Sequence, residues 1–232
     1  MTKFRIRRVV GVLVLALFGW YVATADLNAP EPATPPVTEE QKKDAQKRDA
    51  DALSQLEKLE VKGRAPKTGY SRDQFGDGWR DLLGCDMRNT ILYRDLTDTT
   101  VADDCSVQKG TLHDPYTGKV IQFERGEKTS ALVQIDHVVA LSDAWQKGAQ
   151  QLSEQRRIEF ANDPLNLLAV DGAANQEKSD SDAASWLPAQ KAFRCQYVGR
   201  QIAVKEKYDL WITQAEKEAM IRVLSACTEA AV

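Results

Sequence analysis

Apolar positions fall into three different patterns along the 232 residues. The first is an unbroken run from Val9 to about Val22, preceded by Lys3, Arg5, Arg7 and Arg8 and followed by Ala23-Thr24-Ala25. A charged start, a short apolar run and a small-x-small site describe an export signal cut after Ala25. The run is shorter than the ~20 residues of a comfortable membrane span. Phe18, Trp20 and Tyr21 near its outer end suit the alternative, an uncut membrane anchor spanning residues 1–25. The second pattern is sparse. Residues 26–37 carry four of the eight prolines and predict an extended linker. Residues 38–60 are rich in Glu, Lys, Gln and Ala, with Leu53, Leu56 and Leu59 on one side. They predict a solvated helix that docks by its last turns.

The third pattern fills residues 61–232 and alternates between periods. A helix is predicted over about Met87–Leu96. A hairpin is predicted over Thr111–Phe123, around the turn sequence Asp114-Pro-Tyr-Thr-Gly118. Ala131–Leu141 reads as a strand and 142–161 as a helix. Asn162-Asp163-Pro164 then breaks the chain. Leu165–Val170 is a second short strand, Asp171-Gly172 a turn, and a helix opens near Ala173. A helix over about 189–207 follows Pro188. Thr213-x-x-Glu216 is a capping box opening the last helix. The fold class expected is α+β.

Charge changes this picture in one respect. Removing residues 1–25 leaves 27 basic against 34 acidic side chains, a net of −7. A nucleic-acid partner would therefore be held by a local basic patch and a bound cation, not by overall charge. The four cysteines, Cys85, Cys105, Cys195 and Cys227, show no Cys-x-x-Cys spacing. An even count in an exported chain predicts two disulfides. Of three possible pairings, Cys85–Cys105 with Cys195–Cys227 closes the two local loops.

The chemistry concentrates in one stretch. Asp136-His137 lies on the first strand, Asn166 starts the second, and Asn175 and Lys178 follow on the next helix. His137 is one of only two histidines. A neutral imidazole can deprotonate an attacking water. The Asp136 carboxylate and the Asn175 amide oxygen suit a hard divalent cation such as Mg2+ or Mn2+. Lys178 is placed to contact a phosphate, and Asn166 to brace the loop or fix the imidazole ring. Adjacent strand residues point to opposite faces, so Asp136 and His137 share a site only if the strand bends or twists there. Arg88, Asn89, Arg94 and Asp95 form a polar cluster. A structural Arg–Asp network is its default reading, and a phosphate clamp through Arg88 the runner-up.

These residues also carry a resemblance. Asp136-His137-Val-Val-Ala-Leu-Ser142, Asn166-Leu-Leu and Asn175-Gln-Glu-Lys178-Ser-Asp180 resemble the HNH endonucleases, with their ββα-metal core. The resemblance implies His137 as general base, Asp136 and Asn175 as metal ligands and Asn166 as a structural residue. It places the core at about 131–182. Arg64–Tyr70, Cys85–Asn89, Phe160–Asn166 and Ala183–Pro188 are further similar to a group of secreted bacterial proteins of that family, which extends the domain over 61–232. The implied function is an exported, metal-dependent endonuclease acting on DNA or RNA without sequence preference, since no DNA-reading module flanks the core. Two rivals stand beside it. One is a non-catalytic cell-envelope binding module that keeps the fold, and the other a metal phosphohydrolase of smaller esters.

Overall fold

The short strand pair at the centre of the chain is buried on both faces, and the rest of the structure is arranged to cover it. The computed structural model describes residues 38–82 and 84–230. The predicted export signal and the proline-rich linker lie outside the described residues. Residues 39–232 form one compact unit of mixed α/β character. Among the described residues, no helix is long and apolar enough to cross a membrane.

The chain begins with α1 (Glu39–Leu56), which buries Ala52 and Leu56 on its last turns, with Leu59 just beyond. A short hairpin of β1 (Asp81–Leu82) and β2 (Cys85–Asp86) leads into α2 (Met87–Asp95). Asp86 caps α2 by accepting from Asn89 N at 2.7 Å. An antiparallel sheet of β3 (Thr97–Val101), β4 (Val107–His113) and β5 (Val120–Glu124) follows. The predicted hairpin is its β4–β5 half, while the third strand, β3, is polar and largely exposed and gives no apolar alternation to read.

The central pair is β6 (Val133–His137) against β7 (Leu167–Asp171), antiparallel from Val133↔Asp171 to His137↔Leu167. Between them run α3 (Leu141–Gln146) and α4 (Glu154–Ala161). After β7 come α5 (Gly172–Lys178), α6 (Arg194–Lys207) and α7 (Gln214–Ala230). Period-2 alternation decides which core each strand residue joins. Val133, Ile135, Leu167 and Ala169 enter a cluster with Ile91, Leu92 and Phe123. Leu168 and Val170 enter the opposite cluster, with Tyr116, Tyr197, Ile202 and Leu224.

Two predicted elements come out shorter. The strand expected over 131–141 ends at His137, because the buried Asn166 side chain captures the backbone of Val139 and turns the chain. The helix expected over 142–161 is interrupted. Gly148 takes φ +123° and lies against Leu210 and Trp211, and Ser153 caps a new helix by accepting from Arg156 N at 3.2 Å. Apolar spacing continues across that break, which is why the pattern reads as a single helix. The capping box forms as expected, with Glu216 N donating to Thr213 Oγ1 at 3.2 Å and Thr213 N to Glu216 Oε2 at 3.4 Å.

The cysteines pair as Cys85–Cys105 and Cys195–Cys227. The first ties β2 to the β3–β4 turn, the second α6 to α7. On the chain-entropy view, loops of 20 and 32 residues each stabilise by roughly 3–4 kcal/mol. The Arg94–Asp95 pair is structural. Arg94 donates to Pro164 O at 2.8 Å and Leu167 O at 2.7 Å, while Asp95 accepts from Ala169 N at 2.8 Å. Together they hold the start of β7.

Candidate active site

Asp136 and His137 face Leu168 and Leu167 in a register that runs without a bulge. That register contains no inserted residue. The two side chains take opposite faces, as a regular strand dictates. They nevertheless share a cleft, because β6 ends at His137. That cleft is lined by Asp136, His137, Ser142, Asn175, Asp180 and Arg72.

His137 is buried, with its ring stacked on Trp79 at 5.7 Å between centroids and 12° between planes. Its Nε2 lies 2.9 Å from Ala161 O. A carbonyl only accepts, so Nε2 carries the proton and Nδ1 keeps the lone pair. Burial lowers the imidazole pKa to about 3, and the nearby Arg72 and Lys178 charges act in the same direction, against the raising effect of the Ala161 bond. The ring is therefore neutral at physiological pH.

Asn166 does not touch that ring. It is fully buried, its Oδ1 accepts from Val139 N at 2.8 Å, and its Nδ2 donates to Val139 O at 3.3 Å. Its own backbone O accepts from Val138 N at 2.8 Å. The residue braces the turn that follows His137, and the orientation of the imidazole falls instead to Ala161 and Trp79.

Lys178 is also placed differently from expectation. It is fully buried, and its Nζ donates to Asp136 Oδ1 and to His137 O, both at 2.9 Å. An ammonium held in this way does not reach a phosphate at the surface. Tyr116, from the turn between β4 and β5, donates its hydroxyl to the other carboxylate oxygen at 2.5 Å. Burial raises the Asp136 pKa, while Lys178 and Tyr116 pull it back down. Tyr116 is the residue the sequence reading missed. A tyrosine inside a turn sequence is ordinarily exposed, and this one is fully buried.

Asn175 is half-buried on α5, and its Nδ2 donates to Gln134 Oε1 at 2.9 Å. It is not the helix cap, a role taken by Asp171, which accepts from Ala174 N at 2.8 Å. A hard cation asks for oxygen donors and takes few from protein when it is Mg2+. The donor set fits in kind. Asn175 Oδ1 accepts no hydrogen bond from the described residues, and two of the roughly four lone-pair directions of the Asp136 carboxylate are taken.

Arg88 lies outside the residues lining this cleft. Its Nη2 donates to Ser130 O at 3.3 Å and Val133 O at 3.2 Å, so its half-buried guanidinium secures the approach to β6, away from the cleft where a phosphate clamp would be needed. Asp180, by contrast, lies on the cleft, where its Oδ2 accepts from Ser142 Oγ at 2.9 Å and Lys67 Nζ at 3.1 Å.

The geometry can be set beside known proteins. Over 179 residues the chain is 39% identical to a protein of Arthroderma benhamiae described as an uncharacterized secreted protein, covering 76% of this chain and 84% of that one. This relative is fungal, whereas the motifs suggested bacterial counterparts. No solved structure gives a significant match. Residues 86–223, which contain β6, β7, α5 and every residue named at this cleft except Lys67 and the Arg72–Trp79 wall, match the C-terminal domain of the GmrSD restriction endonucleases, and the chain belongs to that family.

Proposed function

We propose that the protein is an exported endonuclease of the HNH, ββα-metal type that hydrolyses phosphodiester bonds in DNA, with RNA as the alternative substrate. One observation carries this reading. A neutral imidazole, with Nε2–H committed to Ala161 O and Nδ1 left as the base, lies on a cleft that also holds a carboxylate and an amide oxygen. Family membership supports nuclease chemistry. The secreted description of the fungal relative and the charged-then-apolar N-terminus support export.

The roles follow from the contacts. His137 takes a proton from the attacking water through Nδ1. Asp136 and Asn175 would hold a divalent cation, Mg2+ or Mn2+. The chemistry such an ion supplies when bound is charge stabilisation on the phosphate and the leaving oxygen. Lys178 and Tyr116 fix the Asp136 carboxylate in place, and Asn166 fixes the turn beyond the base.

The test is plasmid nicking by the disulfide-bonded protein, with and without Mg2+ or Mn2+, beside His137→Ala. Metal-dependent nicking is expected, reduced about 10²–10⁴-fold in the variant. A folded protein that cuts with neither ion would overturn the reading in favour of a non-catalytic envelope binding module. The buried Lys178–Asp136 pair, which already neutralises the candidate ligand, is the observation that keeps this rival in view.

A further inference from the structure

The cleft beside His137 has a wall that the family match does not include. Residues 64–80 precede the matched span of 86–223 and strap across α3 and α4. Arg64 pairs with Asp143 at 3.0 Å and Asp182 at 2.7 Å. Ala65 N donates to Gln146 O at 2.8 Å, and Trp145 Nε1 to Thr68 O at 3.3 Å. Phe75 is buried against Trp145 and Phe160, and Arg157 Nε donates to Gln74 O at 2.8 Å. The strap is thus anchored along its length.

It also prolongs the cleft. Arg72 lines the part that holds Asp136 and Asn175, and lines with Trp79 and Ala161 the adjoining part around His137. The next residues along each wall, Arg80 and Asn162, are joined by Arg80 N donating to Asn162 Oδ1 at 2.8 Å. They open a second groove with Arg156, Asp163 and Lys207. The surface therefore continues past His137 on both sides.

Most charges on it are already matched. Lys67 pairs with Asp180 at 3.1 Å, Arg156 with Glu159 at 3.2 Å and Lys207 with Asp163 at 2.6 Å. Arg72 and Arg80 differ. Both are exposed, and among the described residues neither guanidinium is within ion-pair or hydrogen-bond distance of a partner, Arg80 acting on Glu159 only through its longer-range charge. Arg72 lines the cleft together with Trp79, the residue stacked on His137, and Arg80 follows Trp79 directly in the chain and lines the second groove. With residues 1–25 removed the chain carries a net charge of −7, so phosphate is met by local cations and not by overall charge.

We propose that Arg72 and Arg80 are the phosphate contacts that seat a polynucleotide strand across His137, one on each side of the phosphate to be cut. A guanidinium fork matches two phosphate oxygens, and an unpaired one gives up no existing partner to do so. The inference rests on the nuclease reading and adds to it where the strand lies.

The experiment is fluorescence anisotropy on full-length His137→Ala, which binds without cutting. The probes are 20-nucleotide DNA and RNA strands of one sequence, titrated from 50 to 200 mM salt. Arg72→Ala and Arg80→Ala, each added to that background, are expected to weaken binding about tenfold on both probes. The slope of log K against log salt should fall by about 0.7 per lost contact. Lys109→Ala, an exposed lysine on β4, is the control and leaves both quantities unchanged. If the parent binds but both arginine variants match it in affinity and salt slope, the proposed track is wrong while the nuclease reading stands. If the parent binds neither strand and the unmodified protein nicks no plasmid, the nuclease reading fails and takes the track with it.

Discussion

The side chains around Asp136 show how burial changes the meaning of a residue type. Lys178 reads from sequence as a cation facing substrate, yet its ammonium is enclosed with Asp136 and a backbone carbonyl. The pair is worth little as a net source of stability, because both charges lose their hydration. Its removal is another matter. Lys178→Met leaves the Asp136 charge buried with only Tyr116 beside it, and is expected to cost about 3–5 kcal/mol. Urea unfolding of the variant measures this. A midpoint equal to that of the unmodified protein would mean that the lysine is not held as described. The histidine follows the same logic. Its neighbours on the strand are buried too, so its position on an apolar run is no sign of chemistry by itself, and the Ala161 carbonyl that sets its tautomer lies 24 residues away.

At the scale of elements, the relation of α5 to β6 places Asn175 and Lys178 over the strand end. Gly172 makes that approach possible. A Cβ added there would stand 2.2 Å from Ala131 O, a backbone atom that cannot swing aside. Gly172→Ala is therefore expected to displace α5, destabilise the fold by at least about 1–3 kcal/mol and reduce nicking with it. Paired measurements of melting and cutting check this, and a variant with unchanged melting temperature would show that the contact is looser than it stands here. Much of the element inventory was legible in advance. The capping box, the hairpin, the last helices and the strand–turn–helix order around Asp171-Gly172 all follow local signals. The interruption at Gly148 and the end of β6 did not show, because each is imposed by a partner far away in sequence, Leu210 and Trp211 in one case and Asn166 in the other.

Across the whole molecule, a buried charge network joins parts that are distant along the chain. Lys147 contacts Asp143 at 2.7 Å, Asp182 at 2.8 Å and Glu216 at 2.7 Å, and Lys205 contacts Glu216 at 2.9 Å. With Arg64 it ties the strap, α3, the segment after α5, α6 and α7 together. Burial alone would raise the Asp182 pKa, but Lys147 and then Arg64 outweigh it and bring the value to about 2, from 3.8. A carboxylate lowered on folding contributes stability that is complete above about pH 4 and lost as pH falls through about 2. Asp182→Asn removes that contribution. The gap in stability between the two proteins should hold steady from pH 6 to about 4 and narrow from there to pH 2. Denaturant titrations across the series measure it, and a gap that stayed constant down to pH 2 would show that Asp182 is not the ionised partner of Lys147.

Sequence by itself determined the export signal as an expectation, the helix-and-strand order and the local disulfide pairing. All of these depend on residues within one or two turns, or one loop, of each other. Only the tertiary structure decided what those residues touch. It turned Lys178 inward, gave Asp136 a tyrosine from a turn 20 residues away, assigned the imidazole proton through Ala161, and withdrew Arg88 to backbone carbonyls. It also brought Arg72 alongside His137 and set Arg80 on the adjoining groove. Such contacts depend on which faces meet when the cores close. Hydrophobic burial drives that closure without direction, and the polar groups carried inside must then satisfy each other wherever they arrive.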